Sequence, residues 1–311
     1  MNSKKAFLIE VDGRKYDYRL GKNLDLKEVA KFFSQKYRVK NIWQDQRHVL
    51  GCLEKNSQNL FLKLSTTTGI GLLTEKEKNW NDFFNRQTPR NASFWVPINV
   101  DFGYFNGLFY LITDELKGEK LHGLIADNEK ISGEDLRKVM KLSLLIQNLK
   151  TGRDAKDDGN CHRVFLNKTK LWFSDIPKDV VQKYNLKEIL ELIWHRTNCL
   201  PQAPRHGDFA PWHILKMKNN LIGLIDGEHF LENGVAGYDI CYFIQRLYGV
   251  LNQRKTADAV VWILKENNNN IDKLKTVLYA RAIGGFLDES LKQNPDYQNA
   301  SDFIKWIAQL R

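Results

Sequence analysis

In His206-Gly207-Asp208-Phe209-Ala210-Pro211-Trp212-His213 a carboxylate sits in a turn opened by His-Gly, and Leu224-Ile225-Asp226 puts a second carboxylate at the end of a short apolar run. Phosphoryl transfer uses two such groups, one to accept the proton of an attacking hydroxyl and one to hold a metal ion on nucleotide phosphates. Asp208, in a turn, suits the first task, and Asp226, at a strand end, suits the second. Ile214 to Met217 and Leu221 to Ile225 read as short strands joined by Lys218-Asn219-Asn220. A hairpin of that kind returns both of its ends to one side, and with them both carboxylates to one site.

These residues resemble the aminoglycoside phosphotransferase and choline kinase family, relatives of the protein kinases, whose catalytic loop reads H-G-D-x-x-x-x-N and whose metal motif reads I-D-x-x. The resemblance implies that His206 stabilises the loop, Asp208 is the catalytic base and Asp226 is a metal ligand. Glu228 matches family members reading I-D-x-E, where it lies near the metal. The likeness continues into Gly237-Tyr238-Asp239-Ile240, where the family carries an Asp that braces the catalytic loop. Asp239 is then either such a brace or the N-cap of an apolar helix. One position departs, because His213 stands where the family has an Asn that binds the second metal. An imidazole there could ligate a divalent ion, favouring Mn2+ or another transition metal over Mg2+. It could instead only hydrogen-bond, with one metal held mainly by Asp226, or it could mark a pseudokinase. Retention of both carboxylates favours an active enzyme.

Lys63 stands in Leu60-Phe61-Leu62-Lys63-Leu64, where strand alternation sets it with Phe61 and Ser65 opposite the three leucines. Taken alone, such a lysine reads as a solvated residue blunting a strand edge. The resemblance makes it the lysine that contacts ATP phosphates from the third strand, with a glutamate partner on the following helix. Glu77 is the expected partner and Glu75 the alternative, since Trp80 and Phe84 fall at i+3 and i+7 from Glu77. Thr113-Asp114-Glu115-Leu116-Lys117-Gly118 reads as the hinge, with Thr113 and Glu115 as candidate nucleotide contacts. No glycine-rich phosphate loop is visible, because the turn between the first two strands reads Gln44-Asp45-Gln46-Arg47-His48. Gly69-Ile70-Gly71 reads as a flexible lead into the Glu77 helix.

The elements needed to position these groups follow from the patterning. Residues 24 to 36 predict a short helix. Val39 to Trp43, His48 to Lys55 and Leu60 to Leu64 predict an antiparallel meander, and residues 74 to 86 a helix with Thr74 as N-cap. Trp95 to Asp101 and Leu108 to Thr113 flank Asn106-Gly107, a hairpin turn signal. Beyond the hinge the pattern is helical. Ser132 with Asp135 three residues on predicts a capped helix start, and helical patterns return at 187–196, 238–252, 256–266, 271–292 and 300–311, interrupted by strands only between Asp208 and Asp226. The expected fold is α+β and bilobal, protein-kinase-like, with a sheet-containing nucleotide-binding lobe over 1–115 and a helical lobe over 116–311 carrying the catalytic loop and acceptor site.

A chain of 311 residues is long enough for two lobes sharing a cleft. Met1-Asn2-Ser3-Lys4-Lys5 lacks the apolar core of a signal peptide, and no apolar run approaches the roughly 18 residues of a membrane span, so a cytoplasmic protein is expected. Cys52, Cys161, Cys199 and Cys241 have no metal-ligand spacing and read as reduced thiols. The net charge of +10 is spread out, since residues 1 to 149 hold 24 Lys and Arg against 18 Asp and Glu, and residues 150 to 311 hold 23 against 19. There is no basic tail and no specific nucleic-acid motif. A helical half at +4 is ill suited to a polycationic acceptor and better suited to a neutral or anionic sugar. The expectation is an ATP- and Mg2+-dependent phosphotransferase acting on a hydroxyl of a small molecule or sugar. The alternative is a nucleotide-binding pseudokinase acting as scaffold or sensor.

Overall fold

The computed structural model describes residues 4–89, 93–123, 130–152 and 160–311. Met1, Asn2 and Ser3, used above in reading the leader, lie outside them. The chain divides into two compact units, one made of residues through Glu119 together with Leu215–Phe230, the other of Lys120–Ile214 and Leu231–Arg311. The division expected at 115/116 treats the lobes as consecutive pieces of chain, whereas Leu215–Phe230 groups with the first unit.

The first unit opens with a hairpin, β1 (Leu8–Val11) and β2 (Arg14–Asp17), that the apolar patterning did not single out. Its signal was Asp12-Gly13, both left-handed at φ 49° and 72°, the geometry of a two-residue hairpin turn. α1 (Leu26–Ser34) follows, capped by Asp25, whose carboxylate accepts the N–H groups of Lys27 and Glu28. β3 (Arg38–Asp45), β4 (His48–Lys55), β5 (Gln58–Ser65), β7 (Asn99–Phe105) and β8 (Leu108–Asp114) form an antiparallel sheet in the order β3-β4-β5-β8-β7. Leu60, Leu62 and Leu64 point from β5 into a core shared with Val29 and Phe33 of α1 and Val49, Leu53 and Ile112 of the sheet. Each such leucine contributes roughly 1.5–3 kcal/mol by burial. The same alternation turns Lys63 to the other face.

α2 (Thr68–Gln87) covers that other face. It begins at Thr68 and not at Thr74: Thr67 is the N-cap, its hydroxyl accepting the Ile70 N–H at 3.3 Å. Thr74 lies inside the helix, its hydroxyl bonded to Ile70 O at 3.3 Å. Gly69 and Gly71 are therefore helical and not a flexible lead. Their low helix propensity is offset by close packing, because a Cβ on Gly69 would meet Tyr16 Cβ at 2.6 Å, and one on Gly71 would meet Phe109 Cβ at 3.3 Å. The predicted strand Trp95 to Asp101 is broken at Pro97, which has no N–H for a ladder. β6 (Phe94–Trp95) instead joins β9 (Gly118–Lys120), β11 (Ile214–Met217) and β12 (Ile222–Leu224) in a second sheet of order β6-β12-β11-β9.

The second unit is mainly helical: α3 (Gly133–Gln147), α4 (Asn160–Ser174), α5 (Lys178–Lys183), α6 (Leu186–Arg196), α7 (Tyr238–Gln245), α8 (Arg254–Glu266), α9 (Ile271–Ser290) and α10 (Gln298–Gln309). Ser132 caps α3 by accepting the Asp135 N–H at 3.1 Å, and its hydroxyl donates back to Asp135 Oδ2 at 2.9 Å. α9 is buried along most of its length and packs against α4, α6, α7 and α10. The helix predicted over 238–252 ends at Gln245 and continues as a π turn, Arg246–Val250. Strands are not confined to the stretch between Asp208 and Asp226, for β10 (Gln202–Arg205) pairs antiparallel with β13 (Leu231–Val235). These runs are too short and mixed in polarity to announce themselves; only their pairing makes them strands. Among the described residues no helix is long and apolar enough to cross a membrane.

Candidate active site

Lys63 is the hub of the first unit. Its Nζ lies 2.6 Å from Glu77 Oε2, 2.7 Å from Asp226 Oδ1 and 2.7 Å from Glu228 Oε1. Three elements deliver these groups: β5 presents the lysine, the third turn of α2 presents Glu77, and the turn after β12 presents Asp226 and Glu228. Glu75, the alternative partner, sits on the half-exposed flank of α2. The turn itself is tight. Asp226 is left-handed at φ 68°, and Gly227 lies so close to Trp80 that a Cβ would stand 2.3 Å from the indole. Trp80 in turn packs on Phe84 and Phe230, with ring centroids 5.3 and 5.4 Å away. One aromatic stack thus fixes the spacing between α2 and the carboxylate turn.

Two further residues close the cluster. Arg47, in the β3–β4 turn, places Nη2 2.5 Å from Glu228 Oε2, and His48 Nε2 lies 3.2 Å from Glu228 Oε1. Burial, reinforced by the positive Lys63 and Arg47, pushes the His48 pKa down to about 3 against the pull of Glu228, so the imidazole is neutral. Three carboxylates therefore face two cations. Burial, then the negative Asp226 and Glu228, raises Glu77 to about 7 despite Lys63. Burial also opposes charge on Lys63, yet Asp226, Glu228 and Glu77 hold its pKa well above the ordinary value. One oxygen from each of Glu77, Asp226 and Glu228 falls within 4.8 Å of the others. That surplus of hard oxygen donors fits a divalent cation such as Mg2+.

Asp208 belongs to the second unit. β10 runs into His206-Gly207, where Gly207 takes φ 87°, and the buried Asp239 carboxylate accepts the N–H groups of His206 at 2.8 Å and Gly207 at 2.9 Å. Asp239 follows the N-cap Gly237, so it braces the turn and does not cap α7. His206 is fully buried, its ring edge-on to Phe209 at 6.4 Å. Asp208 keeps 19% of its side chain exposed. His213 Nδ1 lies 2.9 Å from Asp208 O and 3.7 Å from Asp208 Oδ2. A ring nitrogen facing a carbonyl carries a proton, so His213 Nδ1 donates to Asp208 O.

The structure thus gathers Lys63, Glu77, Asp226 and Glu228 in one unit, and His206, Asp208 and His213 in one turn of the other. Thr113 is buried two residues along β8 from Leu111, the cross-strand partner of Lys63, whereas Glu115 is exposed and its N–H bonds Asn59 O at 3.2 Å. Arg47 and His48 were not singled out from the sequence. The alternation of β4, which sets His48 two residues from the Lys63 partner Leu50, was the signal for the histidine.

No protein-family model and no curated protein matches this sequence. Solved structures do. The aminoglycoside phosphotransferase APH(4)-Ia superposes with a TM-score of 0.63 at 14% identity, over 92% of this chain and 99% of that one. Spectinomycin phosphotransferase APH(9)-Ia, solved with ADP and spectinomycin, gives 0.56 at 12% identity over 92% and 95%. A GDP and kanamycin complex of an APH(2")-type enzyme gives 0.55 at 13% identity over 92% and 98%. The chain has the α+β, protein-kinase-like fold of the aminoglycoside phosphotransferases.

Proposed function

We propose that this chain, with the fold of the aminoglycoside phosphotransferases, is a nucleotide-dependent phosphotransferase that phosphorylates a hydroxyl of a small molecule. The observation that carries the reading is the lysine held at once by a helix glutamate, Glu77, and by the carboxylates of the Asp226-Gly227-Glu228 turn. A lone structural ion pair would not need a surplus carboxylate. In this reading Lys63 takes nucleotide phosphate charge, Glu77 orients Lys63, and Thr113 and Glu115 contact the nucleotide. Asp226 and Glu228, with His213 as a further candidate, hold Mg2+ or Mn2+. A divalent ion bound there supplies charge neutralisation for the phosphates. Asp208 accepts the acceptor's hydroxyl proton, and His206 and Asp239 hold its turn.

ATP is the favoured donor; the solved relatives were captured with AMP-PNP, ADP or GDP. Their complexes also contain hygromycin B, spectinomycin and kanamycin. The +4 of residues 150 to 311 favours a neutral or anionic sugar over such polycations. We place the protein in the cytoplasm, where ATP is available. The pseudokinase reading is kept for one observation, His213 at the position of the usual Asn. ADP formation across sugars, amino alcohols and aminoglycosides, with Asp208→Asn as control, decides between them. Acceptor-dependent ADP lost in the variant supports the enzyme; nucleotide-dependent heat stabilisation with no ADP release from any acceptor supports the pseudokinase.

A further inference from the structure

Tyr242 and Arg246 have no part in the chemistry above, yet Tyr242 is buried and Arg246 half-buried beside the turn that carries Asp208. Asp239, Tyr242 and Arg246 follow one another at spacings of three and four, so they share one stripe of α7 and its π continuation. Asp239 fixes where that stripe points, because its carboxylate takes the N–H groups of His206 and Gly207. Tyr242, one turn further on, stands beside the next residue of the same loop, with the Asp208 carboxylate acting on its hydroxyl. Burial first, and Asp208 among its neighbours, keeps the phenol far above its ordinary pKa, so it carries its proton.

Behind the phenol stands Arg246. Its Nη2 donates to the Tyr242 hydroxyl at 2.8 Å and its Nη1 to Asp288 Oδ2 at 2.9 Å, while its guanidinium sits 4.6 Å from the Tyr242 ring centroid. Arg281 lies 4.3 Å from the same ring centroid. A phenol oxygen that accepts from a guanidinium directs its own proton away from it, here toward Asp208. Asp288, Arg246 and Tyr242 then form one polarised chain of donors and acceptors, and Asp208 stands at its open end. Such a chain would be superfluous to a surface loop. It suits a carboxylate whose orientation matters.

We propose that Tyr242 and Arg246 are positioning residues that hold the Asp208 carboxylate in the orientation needed to receive an acceptor's proton. This rests on the reading of Asp208 as the base. The competing account is that Arg246–Asp288 only ties α7 to α9, with Tyr242 as packing.

The test has two arms, both on the full chain. In protein labelled with 13C at tyrosine Cζ, the Tyr242 resonance is assigned by its loss in Tyr242→Phe. That resonance should move in Asp208→Asn, and this needs no turnover. In the second arm ADP release from ATP and Mg2+ is measured with water, kanamycin, spectinomycin and hygromycin B as acceptors. Tyr242→Phe should lower kcat roughly tenfold or more, the size expected for a hydrogen bond to a charged group. KM for ATP and Tm should stay at wild-type values. Arg246→Met should fall as far, and Arg246→Lys, which keeps charge but not the fork, should recover part of the loss. An unmoved resonance in Asp208→Asn overturns the contact. Wild-type kcat in Tyr242→Phe, or a loss that tracks Tm, overturns the positioning role. If wild type and Asp208→Asn release ADP equally with every acceptor, the phosphotransferase reading falls and the positioning role with it, even where the resonance moves.

Discussion

A half-buried lysine touching three carboxylates is both a binding device and a liability. Replacing Lys63 by Ala removes the central cation and leaves Glu77, Asp226 and Glu228 facing each other. Removing one partner of a buried ion pair typically costs about 3–5 kcal/mol. Lys63→Ala should therefore lose nucleotide binding and also melt earlier, whereas Lys63→Arg should recover stability better than activity, since the planar fork has a different reach. Differential scanning fluorimetry beside ADP release separates the two effects. At Asp208 the expectation is simpler. Its side chain is 19% exposed, so Asp208→Asn should keep the fold while turnover drops on the order of 10² or more, the scale of general-base contributions. At the neighbouring His213 an imidazole favours softer ions than an amide oxygen does. His213→Asn should shift activity from Mn2+ toward Mg2+. Identical metal preferences in the two proteins would leave His213 as a hydrogen-bonding residue only.

Among the elements, α2 and the Asp208 turn carry the clearest consequences. Glycine to alanine inside a helix normally stabilises by roughly 0.5–1 kcal/mol. At Gly69 the sign should reverse, because the new Cβ would stand 2.6 Å from Tyr16 Cβ, the root of a side chain on the β1–β2 hairpin. Overpacking of that kind costs about 1–3 kcal/mol, and a Gly69→Ala protein that melts later than wild type would show the hairpin to be loosely seated. At the turn, burial raises the Asp239 pKa to about 6 even though two backbone N–H groups favour its charge. A carboxyl whose folded pKa lies above its unfolded value binds its proton more tightly when folded, so its contribution is complete below the unfolded pKa of 3.8 and is lost as pH rises through about 6. The span is worth at most about 3 kcal/mol at 1.36 kcal/mol per unit. Denaturant unfolding of wild type and Asp239→Asn between pH 4 and 7.5 reads it out. The wild-type advantage should shrink as pH rises, and a constant difference would mean that the turn's N–H groups hold Asp239 ionised throughout.

For the whole molecule, a ligand that binds only the folded state raises stability by RT ln(1 + [L]/Kd), about 2.7 kcal/mol at one hundred times Kd. At roughly 2.1 cal/mol/K per residue of unfolding entropy, a chain of 311 residues should gain about 4 °C in Tm with ATP and a divalent cation. That gain should vanish in Lys63→Ala. The chain has two compact units, so the shift is best followed by a probe in each, and a shift confined to the first unit would place the nucleotide on the Lys63 cluster alone.

Much of this protein was legible in its residues. His206-Gly207-Asp208 and Ile225-Asp226 stand close together in sequence and show themselves as motifs, and the period-two leucines of β5 oriented Lys63 without reference to any partner. The Asn106-Gly107 turn and the Ser132 cap are equally local, fixed by backbone preferences of two to four residues. What the sequence misread depended on distant chain. Gly69 and Gly71 look like helix breakers until Tyr16 and Phe109 are seen to need the space, and β10 and β13 become strands only by pairing with each other. The positions of Arg47 on Glu228, and of Tyr242 and Arg246 behind Asp208, leave no periodic trace, because they are set by where two elements meet and not by the pattern within either. Local chemistry named the groups, and packing decided which of them touch.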